Sequence, residues 1–183
     1  MSLWREVLRL HIGPLAVGAA IALVGCQGPA PAPAAQPAPP REPGRLEVRL
    51  PVEMGEMFFA TAEGAKGGPF RVPAGKVVGL RVVNKGELEH EIGLGRDIVY
   101  QEGRVSGFQR HLFESLPVDA FVYPAGKKVE IETEGGITEI EVEPGTEFWL
   151  RMTFPPELKG EWEMACFIPG HYEGGMRARF IIE

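Results

Sequence analysis

The sequence predicts an all-β fold, a Greek-key sandwich, over residues 45–183. Three observations carry this expectation. Short runs rich in Val, Ile, Phe and Trp are separated by Gly and Pro punctuation. Several runs alternate apolar with charged residues, the period-two pattern of a sheet with one wetted face. No long stretch repeats its apolar residues at helical spacing.

The elements follow in order. Residues 46–50 alternate apolar and charged. Residues 70–72 lead into the turn Pro73-Ala-Gly-Lys76. Residues 76–83 form a strongly β-branched strand closed by Asn84-Lys-Gly86, and residues 89–94 form a shorter one. Residues 127–133 and 137–142 flank Glu134-Gly-Gly136, a hairpin signal. Both place glutamates at alternate positions (Glu130, Glu132, Glu139, Glu141), so one face is expected to be wet. Residues 147–154, 160–167 and 177–182 complete the sandwich. Residues 96–123 interrupt the pattern and read as a long loop insertion, with one or two helical turns near 108–116. Phe108, Leu112 and Phe113 are expected to pack it down as a flap over the end of the sandwich.

The N-terminal segment has the composition of a targeting signal. Arg5 and Arg9 precede a short apolar stretch that carries Pro14 and ends in Leu23-Val-Gly-Cys26. That ending resembles a bacterial lipobox, which implies a signal peptide over 1–25 and lipid attachment at Cys26. Residues 26–44 are dominated by Pro, Ala, Gly and Gln, a composition that stays extended and buries no core. At about 3 Å per residue such a tether reaches up to roughly 50 Å from a membrane. The expected location is therefore extracytoplasmic, lipid-anchored to a bacterial membrane. The 183-residue chain carries 19 Lys and Arg against 25 Asp and Glu, a net charge of −6, which argues against nucleic acid as a partner. Residues 45–183 suffice for one domain, expected as a monomer.

The chemistry concentrates near the C-terminus, in Cys166-Phe-Ile-Pro-Gly-His171-Tyr-Glu-Gly-Gly-Met176. A thiolate, an imidazole and a thioether within one Gly- and Pro-shaped loop suit copper better than magnesium, calcium or manganese. Two histidines and a cysteine with a weak axial methionine make an electron-transfer copper site. His90 is the best candidate for the second histidine. Cys166 is the sole cysteine apart from Cys26, and ligation would protect a lone thiol in an oxidising compartment. Taken singly, Cys166 reads as a small core residue, His171 as a turn residue and Met176 as core filler. Their joint spacing makes ligation the better reading. His111, within the insertion and away from any strand end, is expected to be solvated. Met54, Met57, Met152 and Met164 read as core or strand residues, although Met54 and Met57 form a weak Cu(I)-binding pair. Zinc prefers four strong ligands or a water in the fourth position, neither of which a methionine offers.

With Val82-Val-Asn-Lys-Gly-Glu-Leu-Glu-His90-Glu-Ile92 and Trp162-Glu-Met-Ala-Cys166-Phe-Ile-Pro-Gly-His171-Tyr-Glu-Gly-Gly-Met176-Arg177, the chain resembles the cupredoxins, the plastocyanin and azurin family. The resemblance covers roughly residues 70–183 apart from the insertion. It implies a cupredoxin-like sandwich holding one type 1 copper ion, with His90, Cys166 and His171 equatorial and Met176 axial. Many family members carry Asn directly after the first histidine, where its side chain ties two loops together; here Glu91 stands in that place, which leaves its backbone N–H to donate to the Cys166 sulfur but departs from the family's side-chain clamp.

The function expected is one-electron transfer by a membrane-tethered blue copper protein. Its partner would be a redox protein such as a cytochrome or terminal oxidase, docking near Ile168, Pro169 and Tyr172 over the His171 pole. The alternative is a copper carrier or delivery protein that passes no electrons. An enzyme is not expected. Multicopper centres need more histidines than the three outside the signal, a binuclear site needs two loop cysteines, and no nucleophile-elbow motif is present.

Overall fold

The computed structural model describes residues 42–122, 129–133 and 136–183, which form two facing β-sheets. The signal, Cys26 and most of the expected tether lie outside the described residues, as does the Glu134-Gly135 turn. Residues 42–44 pack with the domain. Pro43 is buried, and Arg151 donates to the Gly44 carbonyl over 3.1 Å.

One sheet holds, in spatial order, β2 (Phe58–Ala60), β1 (Val48–Gly55), β4 (Val77–Asn84), β10 (Glu147–Thr153) and β7 (Asp119–Val122). The other holds β3 (Phe70–Val72), β12 (Arg177–Ile182), β11 (Gly160–Ala165), β5 (His90–Gln101), β9 (Ile137–Val142) and β8 (Val129–Thr133), with β6 (Arg104–His111) paired to β5. β1 and β4 run parallel, as do β3 and β12, and the other pairings are antiparallel. The chain crosses repeatedly from sheet to sheet, so the Greek-key, cupredoxin-like sandwich expected from the sequence is the fold observed.

Period-two patterning builds the core. Val78, Leu80 and Val82 of β4 and Phe148, Leu150 and Met152 of β10 point inward from one sheet. Ile92, Leu94, Ile140, Val142, Met164 and Phe180 meet them from the other, in one continuous cluster. Glu130 is exposed while Glu139 and Glu141 are half-buried, so the expected wet face is only partly so.

The insertion at 96–123 is not a loop. β5 runs on to Gln101, turns at Glu102-Gly103 and returns as β6. Glu102 and Gly103 both have positive φ, 50° and 79°, the requirement of a tight type I′ hairpin turn. Glu-Gly is a weaker signal for that turn than Asn-Gly, and the charges at Arg96, Asp97, Glu102 and Arg104 mask the strand pattern. The helical expectation reduces to one 3-10 turn, Leu112–Ser115, and β7 follows. Phe108, Leu112 and Phe113 are buried, as the flap reading required. His111 departs from its expectation. It is the last residue of β6, half-buried, with Nδ1 shielded from solvent and lacking a hydrogen-bond partner among the described residues. β1 extends beyond the predicted 46–50, and β2 was not predicted.

Phe108 joins the hairpin to the rest of the sheet. Its ring meets Phe167 edge-on at 4.9 Å, in a small cluster with Ala165. Phe108→Ala should cost about 3 kcal/mol through lost burial and the cavity left behind. Urea unfolding of the two proteins checks this.

Candidate metal centre

Three segments build the site. The first is the turn between β4 and β5, organised by Asn84. This fully buried side chain donates from Nδ2 to the carbonyls of Leu88 (2.8 Å) and Val142 (2.7 Å), and its Oδ1 accepts from the Gly86 amide (2.9 Å). A buried amide is tolerated only when so satisfied. Asn84 thereby fixes the path into His90, the first residue of β5, whose side chain is fully buried.

The second segment is the loop from Cys166 to Met176. Cys166 directly follows β11, one residue past the observed strand end rather than within it. The loop closes on itself through its backbone. The Cys166 amide donates to the Met176 carbonyl (3.1 Å), and the Met176 amide donates to the His171 carbonyl (2.9 Å). Gly170 and Gly175 adopt φ of 90° and 101°, which side chains resist. Tyr172 stacks on Phe167 at 5.9 Å and 14°, so the residues following two of the donors pack on one another.

Glu91 is the third piece. Its amide donates to the Cys166 sulfur at 3.3 Å, and its buried carboxylate accepts the Phe167 amide at 2.9 Å. The sequence reading placed the Glu91 amide within reach of the Cys166 sulfur, as observed, and left open only the side-chain tie between these loops. Glu91 supplies that side-chain tie as an acceptor, its carboxylate taking the Phe167 N–H.

These segments converge. His90 Nδ1 lies 3.3 Å from His171 Nδ1, and Cys166 Sγ lies 3.3 Å from the same His171 nitrogen. The three side chains form a group whose potential ligand atoms lie within 4.8 Å of one another. Metal–nitrogen bonds of about 2.0–2.1 Å and metal–sulfur bonds of about 2.3 Å put neighbouring donors roughly 3.5 Å apart. Cys166 is fully buried and His171 is 8% exposed. Met176, also fully buried, sits in the same core cluster as Cys166 at the end of the loop. Thiolate and two imidazoles in a dry pocket are the donor set of a type 1 copper site, and they fit a single copper ion. His111 is not part of the group. Met54 is a fully buried core residue and Met57 occupies the β1–β2 turn. The sequence flagged Asn84 only as a turn residue and gave Glu56 no part at all. Val142, bound by Asn84, and Glu87, bound by Glu56, are distant in sequence from them, although an Asn-x-Gly turn shortly before a candidate ligand is a signal that points to the first.

The electrostatics suit a cation. Burial pushes the Cys166 thiol up to about 12, against the opposing amide hydrogen bonds of Glu91 and Ile168, so the thiol keeps its proton until a metal replaces it. Burial also holds both imidazoles below the usual histidine value, assisted at His90 by its neighbour His171. Both rings are therefore neutral near pH 7, with lone pairs to offer.

No protein-family model matches the chain. It is 25% identical over 160 residues to the copper-resistant cuproprotein CopI of Pseudomonas aeruginosa, covering 79% of this chain and 81% of that protein. Among solved structures it is similar to auracyanin of Roseiflexus castenholzii, at 16% identity over 74% of this chain and 96% of that one, with a TM-score of 0.43. It is also similar to the copper-containing nitrite reductase of Thermus scotoductus, at 13% identity over 75% of this chain and 31% of that one, with a TM-score of 0.48.

The lowered histidines set a pH dependence for the metal-free protein. A depressed folded-state value gives stability that is present above the unfolded value of 6.5 and lost as pH falls through the folded value. Thermal melts should show the metal-free protein weakening as pH drops below 6.5, above the range where carboxylates titrate. His171→Gln should flatten that slope.

Proposed function

We propose that this chain is a one-electron carrier holding one copper ion through His90 Nδ1, Cys166 Sγ and His171 Nδ1, with Met176 as the weak axial donor. The convergence of those three atoms in a buried pocket is the observation that supports it. When bound there, copper supplies a reversible one-electron couple between its two common oxidation states. The protein's part is to hold the donors still. The Glu91 amide aims at the thiolate sulfur, the Asn84 turn sets His90, and the Phe167–Tyr172 stack fixes the spacing of Cys166 and His171. Little nuclear movement then accompanies a change of charge. His171 lies under the protein surface, with exposed Pro169 and half-buried Ile168 and Tyr172 beside it. That surface suits a brief encounter with a redox protein, such as a cytochrome or terminal oxidase. The lipobox-like segment supports an extracytoplasmic site of action, with Cys26 as the anchor.

A second reading, copper sequestration or delivery, draws on the likeness to a protein named for copper resistance. Donors buried to this degree favour a retained ion over an exchanged one. A reversible redox couple with intense visible absorption would support electron transfer, and a colourless, exchangeable Cu(I) site would support delivery.

Cys166→Ser should abolish the thiolate-to-copper absorption of the copper-loaded protein; retention of the band refutes the ligand assignment. Met176→Leu should keep copper and raise its potential, because a weak electron donor is lost. Voltammetry reads that shift, and an unchanged potential removes Met176 from the ligand set.

A further inference from the structure

The outer nitrogen of His90 points toward a carboxylate. Nε2 is buried and has no hydrogen-bond partner among the described residues. Glu56 Oε1 lies 4.0 Å from it, facing the ring nitrogen but beyond hydrogen-bond length. The Glu56 side chain is half-exposed but not free to wander. The same oxygen accepts the amides of Glu87 (2.5 Å) and Leu88 (3.3 Å), in the turn that leads into His90. Those amides, that of Glu87 first, hold its carboxyl below the ordinary value, so it is ionised at neutral pH.

Gly86 makes the approach possible. A Cβ there would stand 2.4 Å from Glu56 Oε1 and 3.0 Å from His90 Nε2. The absent side chain is the space in which carboxylate and imidazole face each other. The β1–β2 turn that carries Glu56 also reaches the Cys166–Met176 loop. A Cβ at Gly174 would lie 2.9 Å from the Met57 sulfur, and Met57 takes a φ of 63°. One two-residue turn thus lies against both ligand-bearing segments.

The geometry points to Glu56 as the positioning residue of the metal centre: its fixed carboxylate keeps the His90 proton on Nε2, freeing Nδ1 for the cation, and places a negative charge behind that ligand. This rests on the copper reading for its effect on the ion but not for its effect on the ring. A histidine ligand whose remote N–H faces a carboxylate is oriented, set in one tautomer and made a stronger donor. A stronger donor and a nearby negative charge both favour the more highly charged ion.

The test uses the full chain as wild type, Glu56→Gln, Glu56→Ala and Glu53→Gln. Glu53 pairs with Lys85, the residue directly after β4, and its substitution removes the same charge at a side chain not paired with His90. In the metal-free proteins, nitrogen-15 resonances of the His90 ring should report an Nε2–H tautomer in wild type and Glu53→Gln. The ring should move toward Nδ1–H in both Glu56 variants. In the copper-loaded proteins, Glu56→Gln should lower Cu(II) affinity relative to Cu(I) by about tenfold, which raises the potential by roughly 59 mV for one electron. The proposal is overturned if the His90 ring is unchanged in Glu56→Ala, or if Glu53→Gln shifts the potential as much as Glu56→Gln does. A wild-type protein that takes up no copper would refute the copper reading instead, and the metal-free ring spectra would then decide the role of Glu56 alone.

Discussion

Everything at the metal pole depends on how β5 and β11 part company. They pair through Glu163–Gly95, Met164–Leu94 and Ala165–Gly93, and then the ladder stops. Two residues beyond Gly93, Glu91 takes over the work of a backbone neighbour. Its amide proton goes to the Cys166 sulfur instead of a carbonyl, and its carboxylate collects the Phe167 amide. The strands stay tied while the sulfur is turned into the pocket. A backbone N–H aimed at sulfur stabilises the anionic form that a cation needs, and buried amides left unmatched are costly.

The three donors are preorganised and uncharged before any cation enters. A thiol and two imidazoles that burial keeps uncharged lie side by side without mutual repulsion. Ordering of these side chains is completed on folding, so binding need not supply it. The cost falls on the thiol proton, whose release couples occupancy to pH.

How much of this could be read from the chain depends on range. The approach of Cys166 and His171 was legible because their spacing is local and the loop between them is shaped by its own Gly and Pro residues. His90 was legible because it opens a recognisable strand after a recognisable turn. The Asn84–Val142 bond and the tie from the Glu91 carboxylate to Phe167 were not, because those partners are distant in sequence. The β5–β6 hairpin was missed because charged residues interrupt its apolar alternation and because its turn uses Glu-Gly. His111 was misjudged with it: once β6 exists, its last residue is carried down onto the sheet. The sandwich itself was legible because period-two burial on β4 and β10 needs no long-range information.

The aromatic pair beside the ligands has a bearing on how this loop can vary. Phe167 and Tyr172 each follow a donor, and their rings lie almost parallel. The five-residue step from Cys166 to His171 is thus measured by a hydrophobic clasp outside the pocket. An inserted residue in that step would pull the rings apart even if a metal could accommodate the longer span. Change of length has freer scope in the Tyr172–Gly175 arc, where glycine conformations absorb it, than in the segment the clasp encloses.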